Sequence, residues 1–246
     1  MIPKKVLERM ERSVRKYKQV LQIAKDRDIN ETDTVSIVKD IFKDVFGYDK
    51  YLDTTSEYAI RTTYCDLAIK LDNKIEFLIE IKAVGLDLKE NHLRQSIDYG
   101  ANEGIPWVIL TNGIIWELYK IKLDKMIKYD LIANLNFLEG DFKNNEFQEK
   151  LFLFCKEGIK KDAREEYHQK MLSVNRHILG ALIISDEMLA VIRRELRKVS
   201  KGISIESDDI KKVLTNEVIK REAIEGEEAQ KAQAHLRRFY NKSKKV

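Results

Sequence analysis

Apolar residues recur at Val6, Met10, Val14, Tyr17 and Leu21, a spacing that predicts an amphipathic helix over residues 4–26. A second helix follows, capped by Asn30 or Thr32. Val35, Ile37, Val38, Ile41, Phe42, Val45 and Phe46 form its broad apolar face, and Gly47 marks its end. The period then shortens to that of strands over residues 56–61, 63–71 and 75–83. Beyond Gly85, residues Leu88, Leu93, Ile97 and Ala101 restore helical spacing over 87–103, and Pro106 closes the element. WVILT (107–111) and IIWELYKIK (114–122) flank Asn112-Gly113, a hairpin signal. Helix, three strands, helix and two strands predict an α/β fold, a mixed sheet with helices packed on it. Past about residue 143 the text turns helical: 145–158, 160–182, 186–200, 208–220 and 223–240, with Ser185 and Ser207 as N-caps. The expected organisation is a basic helix at 1–27, a sheet domain at 28–142 and an all-α C-terminal region at 143–246 packed on it. The boundary falls within 124–143.

Composition narrows the class. The chain has 246 residues, 43% hydrophobic and 35% charged, too apolar for a disordered protein and long enough to bury a core without staples. Mean hydropathy is -0.42, and no apolar run approaches the ~18 residues of a membrane span. The charged N-terminal stretch is unlike a secretion signal, and Cys65 and Cys155 have the spacing of neither a metal pair nor a disulfide framework. A cytoplasmic protein is the expectation, with no membrane partner. The net charge of +4 permits nucleic acid without requiring it. The first 25 residues carry eight Lys and Arg against Glu8 and Glu11, and the tail from Lys231 carries no acid. These ends read either as phosphate contacts or as solvated helix faces.

Candidate chemistry sits on strands 63–71 and 75–83. A three-residue loop, Asp72-Asn73-Lys74, pairs Leu71 with Ile75 and sets Asp66 opposite Glu80. Ile75, Phe77, Ile79 and Ile81 then share one face, while Tyr64, Asp66, Ala68, Glu80 and Lys82 share the other. A two-residue loop is the alternative; it shifts the pairing by one and sets Asp66 opposite Ile79 or Ile81. In the first register two like charges meet across a strand pair, which costs stability unless compensated. A hard divalent cation with oxygen ligands compensates well, and Lys82 beside it suits metal-assisted phosphodiester hydrolysis. The competing view is a solvated hairpin face. Against it, FLIEIKA is so apolar that the strand reads as central.

Asp66 followed by Glu80-Ile81-Lys82 resembles the PD-(D/E)XK nuclease signature, with Cys65 where that signature often has proline. Gln95 and Tyr99, four apart on one helix face, resemble an accessory Gln-x-x-x-Tyr motif of some of these nucleases. ETDTVSIVKDIFKDVFGYD, YCDLAI, IEFLIEIKA, LRQSIDYG and WVILTNGIIWELY, in that order over residues 28–122, resemble the N-terminal nuclease domain of type I restriction enzyme R subunits. The resemblance implies a restriction-endonuclease-like fold. It implies Asp66, Glu80 and the Ile81 carbonyl as metal ligands, Lys82 as catalytic lysine, Gln95 and Tyr99 as accessory residues, and Glu31 as an acid near the metal. Unlike those subunits, the chain has no phosphate-binding G-x-x-x-x-G-K-[ST] loop, so no ATP hydrolysis is expected.

The leading expectation is a stand-alone Mg²⁺-dependent DNA nuclease, Mn²⁺ substituting, in restriction or phage defence. The alternative is a catalytically silent or partner-dependent nucleic-acid-binding or scaffold protein. A homodimer, or a protein partner held by the helical C-terminal region, is compatible with either; the stripe Leu189, Ile192, Leu196 and Val199 has coiled-coil-like spacing.

Overall fold

Helix α1 (Lys4–Asp26) buries the stripe its spacing predicted: Val6, Met10, Val14, Tyr17 and Leu21. Helix α2 (Glu31–Asp44) starts at Asn30, whose side chain accepts the Asp33 N–H; Thr32 lies inside the helix. The chain leaves through Gly47 at φ +82°, two residues past the last helical cap, in a conformation that favours glycine. The computed structural model describes residues 1–60, 63–123, 127–200 and 203–243. Arg61 at the end of the first predicted strand, the tail lysines 244 and 245, and the side chains of Tyr64 and Lys242 lie outside the described set.

The fold is mixed α/β. Strands β1 (Thr54–Ile60), β2 (Thr63–Leu71), β3 (Lys74–Ile81), β4 (Trp107–Thr111), β5 (Ile115–Leu123) and β6 (Ile127–Asn136) form one sheet in chain order. All neighbours are antiparallel except β3 and β4, whose crossover contains α3 (Glu90–Glu103). One sheet face packs on α1, α2 and α4 (Asn145–Phe152), the other on α3. An aromatic knot of Phe42, Phe46, Trp116, Phe137 and Phe154 fills the first core, with Phe46 and Trp116 centroids 5.1 Å apart. Strand β6 occupies the stretch read as a boundary. A register shift opposite Leu118/Tyr119 buries Ile132 and Ala133 in succession, and that erases the period-two signal.

The β2–β3 hairpin differs from both sequence-based registers. Its loop has two residues, Asp72 (φ +48°) and Asn73 (φ +67°), so Leu71 pairs with Lys74, not Ile75. A bulge at Glu76 then adds one residue to β3. From Ile69↔Phe77 through Leu67↔Ile79 the pairing is that of the longer loop, and Asp66 and Glu80 come next. The bulge also turns Ile75 toward the α3 side, away from Phe77, Ile79 and Ile81. Arg164 holds the bulge: its guanidinium donates to the Glu76 carbonyl (3.0 Å) and carboxylate (2.6 Å) and lies over the Phe77 and Trp107 rings. Both partners are buried.

The chain divides into two compact units, Met1–Tyr167 and His168–Val246. The first ends through α5 (Lys156–Lys160) and into α6 (Ala163–Ser173). The second holds α7 (Arg176–Ile183), α8 (Asp186–Val199), α9 (Ser207–Val213), a π-helical turn over 214–218, α10 (Arg221–Ile224) and α11 (Glu227–Ser243). The predicted helix over 186–200 is present as α8, whereas 160–182, 208–220 and 223–240 are each broken; Asn175, for example, caps α7 within 160–182. Ser185 caps α8 as expected, whereas α9 starts from Glu206 without a side-chain cap. Among the described residues no helix is long and apolar enough to cross a membrane.

Two carboxylates tie α1 to its neighbours. Asp44 accepts from Lys16 (2.8 Å) and Tyr17 (2.8 Å), and Glu157 forms a forked pair with Arg9 (2.6 and 2.8 Å). Burial pushes both acids up, but these donors outweigh it and hold both below the ordinary carboxylate range. A depressed folded pKa adds stability that is complete above the unfolded value near pH 4 and is lost as pH falls through the folded one. The urea midpoint is therefore expected to drop from pH 6 to pH 3, and to drop less in the Asp44→Asn, Glu157→Gln double variant. Equal drops in both proteins would assign the acid sensitivity to other groups.

Candidate active site

Five of the predicted residues, Glu31, Asp66, Glu80, Ile81 and Lys82, meet at one end of the sheet. Strand β3 is central and buried along most of its length, so it carries Glu80 into a dry setting and delivers Lys82 just past its end. The Lys82 N–H donates to the Thr111 carbonyl of β4 (2.8 Å), which fixes the backbone there. The Lys82 ammonium lies 2.7 Å from Glu80 Oε1 and 3.6 Å from Glu31 Oε2 at the start of α2. Asp66 Oδ2 accepts the Ile81 N–H at 2.7 Å, so the β2 acid is pinned to the residue between Glu80 and Lys82.

The carboxylates do not share one sheet face as the alternation predicted. Glu80 turns toward α3, where Ser96 donates to it at 3.3 Å. Asp66 lines a cleft of about 240 Å³ with Glu31, Thr32, Val35, Ser36 and Lys39 of α2 and Ser56 of β1. Alternation is broken locally: Cys65 and Ala68, three apart, both pack on the α3 side. Lys82 spans the gap at the strand ends.

Electrostatics match this crowding. Burial is the largest influence on Asp66 and raises its pKa; the Ile81 N–H and Lys82 lower it, and Glu31 raises it again. Burial likewise raises Glu80, opposed by Lys82 and reinforced by Asp66. For Lys82, burial favours the neutral amine, but Glu80, Glu31 and Asp66 outweigh it and keep the ammonium charged.

Gln95 and Tyr99 share an outer face of α3 and hydrogen-bond to each other. The α3 residue that reaches the site is Ser96, fully buried, which the motif-based reading passed over. Its position on the inward face with Leu93, Ile97 and Gly100 is a signal that spacing alone carries. Thr34 is a second omission: buried in α2, it accepts the Val84 N–H and anchors the chain just beyond Lys82.

Among the described residues no three His, Cys, Asp or Glu side chains stand close enough to hold a metal ion on their own. Two carboxylates and a main-chain carbonyl are nevertheless the hard-oxygen set that Mg²⁺ takes, its other positions filled by water and phosphate. Burial raises both Asp66 and Glu80, with Glu31 adding to the first and Asp66 to the second, and a bound cation would relieve that strain. Comparison with family models, curated proteins and solved structures gave no match.

Proposed function

We propose that the unit Met1–Tyr167 is a metal-dependent DNA nuclease of the PD-(D/E)XK, restriction-endonuclease-like kind, acting in restriction or phage defence. The observation that carries this reading is the meeting of Asp66, Glu80 and Lys82 at the end of a buried strand, within reach of a cleft. The five sequence blocks that resemble R-subunit nuclease domains fall on α2, β2, β3, α3 and β4–β5 in that order, which supports it further.

In this reading Asp66, Glu80 and the Ile81 carbonyl would hold Mg²⁺ or Mn²⁺, with Glu31 beside them. When bound, the cation supplies Lewis-acid activation of phosphate and water. The chain's own residues do the rest. Lys82 keeps a positive charge where negative charge grows on the phosphoryl oxygens, and the buried setting strengthens that attraction. Ser96 orients Glu80, and the Ile81 N–H orients Asp66. Lys39, at the cleft wall, meets the flanking phosphate. Hydrolysis adds the water oxygen to phosphorus and breaks one P–O ester bond, the departing oxygen leaving as a hydroxyl.

The test is cleavage of supercoiled plasmid and short linear DNA with Mg²⁺, with Mn²⁺ and with EDTA, for wild type, Asp66→Asn and Glu80→Gln. Metal-dependent cleavage lost in both variants is the expected result. Cleavage that survives both substitutions removes this site from the reaction. DNA binding without cleavage moves the assignment to a silent or partner-dependent nuclease fold.

A further inference from the structure

Tyr51 and Leu52 are 89% and 81% exposed, more than any other large apolar residue described in the first unit apart from Met1. They are held out rather than frayed. Asp49 Oδ1 accepts both the Tyr51 N–H (2.8 Å) and the Leu52 N–H (2.9 Å). Asp53 closes the turn onto the Asp49 N–H (2.7 Å), and its carbonyl accepts the Lys70 N–H of β2 (2.8 Å). A turn tied at both ends fixes two apolar side chains in water, which costs free energy unless something covers them.

The tip lies beyond the cleft that Asp66 lines, further along α2 and β2. From Glu31 to Asp40, which pairs with Lys50 of the turn (3.1 Å), α2 advances about 13 Å. From Asp66 to Lys70, β2 advances about 13 Å as well. That is about four stacked nucleotides at 3.4 Å each. Lysines line the way. Lys39 is in the cleft wall, and Lys43, one turn on along the same α2 face, reaches the field of Asp49. Neither makes an ion pair among the described residues, whereas Asp40 and Asp53 are neutralised by Lys50 and Lys156. The third acid of the turn, Asp49, accepts main-chain N–H groups in the field of Lys156 and Lys43, so Lys39, Lys43, Lys50 and Lys156 outnumber Asp40, Asp49 and Asp53 by one, a positive balance that suits a polyanion.

We propose that the Tyr51–Leu52 tip is a nucleic-acid wedge: it stacks against a base about four nucleotides along the strand from the cleft that Asp66 lines, with Lys39 and Lys43 on the intervening backbone. This rests on the nuclease reading of the cleft and adds to it a preference for substrates whose bases unstack easily. Tyr51 supplies the stacking face and Leu52 the apolar edge that keeps the neighbouring base out.

The experiment is fluorescence-anisotropy binding of labelled 30-nucleotide single-stranded and duplex DNA in EDTA, so that nothing is cleaved. The proteins are wild type, Tyr51→Ala/Leu52→Ala, Tyr51→Phe and Ile23→Ala. Ile23 is another exposed apolar residue and serves as the control. The double variant is expected to keep the wild-type Tm and to bind about tenfold more weakly, with Tyr51→Phe and Ile23→Ala within twofold of wild type. An unchanged Kd for the double variant overturns the wedge, as does equal weakening by Ile23→Ala, or wild type that binds anionic lipid vesicles and no DNA. If wild type cleaves DNA and the double variant binds normally, the wedge fails and the nuclease reading stands. If binding needs the tip but Mg²⁺ brings no cleavage, the wedge stands and the nuclease reading fails.

Discussion

Arg164→Met is expected to cost about 3–5 kcal/mol of folding stability, since it leaves the buried Glu76 carboxylate without its partner. The remaining cation near Glu76 is Lys74, largely solvent-exposed at 3.2 Å, and it compensates only weakly. Adding Glu76→Leu removes the orphaned charge and should return most of the loss, because a buried ion pair is replaced by an apolar one of similar volume while the side chain at 164 keeps its place over the Phe77 and Trp107 rings. Urea unfolding of the two single variants and the double variant gives the coupling directly. Additive losses would mean that the pair does not act as a unit.

Lys82→Ala is expected to lower the DNA cleavage rate at saturating substrate about 10²–10⁴-fold, the range for losing one charged group that acts in the transition state. Lys82 is not replaceable from nearby. The ammonium in the cleft wall is Lys39, on α2, while Lys82, at the strand end, is the residue that pairs with both Glu80 and Glu31 among the described residues. The substitution also leaves Glu80 buried against Asp66 without its cation, so thermal unfolding must be followed beside the rate. A rate within tenfold of wild type, in folded protein, would take Lys82 out of the chemistry.

How far these residues could be read in advance depended on how local their causes are. α1, α2 and α3 follow from spacing within single segments, and the structure differs there by a few residues at the ends. Asp66, Glu80 and Lys82 stood out because charges interrupt strands that are otherwise apolar. The hairpin did not yield to the same reasoning. Its two-residue loop and its in-register interior look incompatible until a bulge is admitted, and that bulge is held by an arginine 88 residues away. Ser96 was legible as an inward position but hidden by its neighbours Gln95 and Tyr99, whose spacing attracts attention and whose side chains bond to each other. The edge strand β6 was missed because a bulge scrambled its alternation. Of these, the hairpin is the case in which a residue distant in sequence decided the outcome.

The sheet runs in strict chain order, so each strand meets its partner soon after it is made. Helix α1 has a longer wait. It can lean on α2 early, through Ser13 and Lys16 on Asp44, but Arg9 does not meet Glu157, nor Met10 meet Cys155, until the end of the unit exists. At ribosomal speeds of about 5–20 residues per second the interval is roughly 7–26 s. Through that time the Met10 end of α1 lacks its cover. A chaperone that binds apolar helices would therefore find its target on that turn of α1, and would lose it when α5 arrives and the Arg9–Glu157 fork closes.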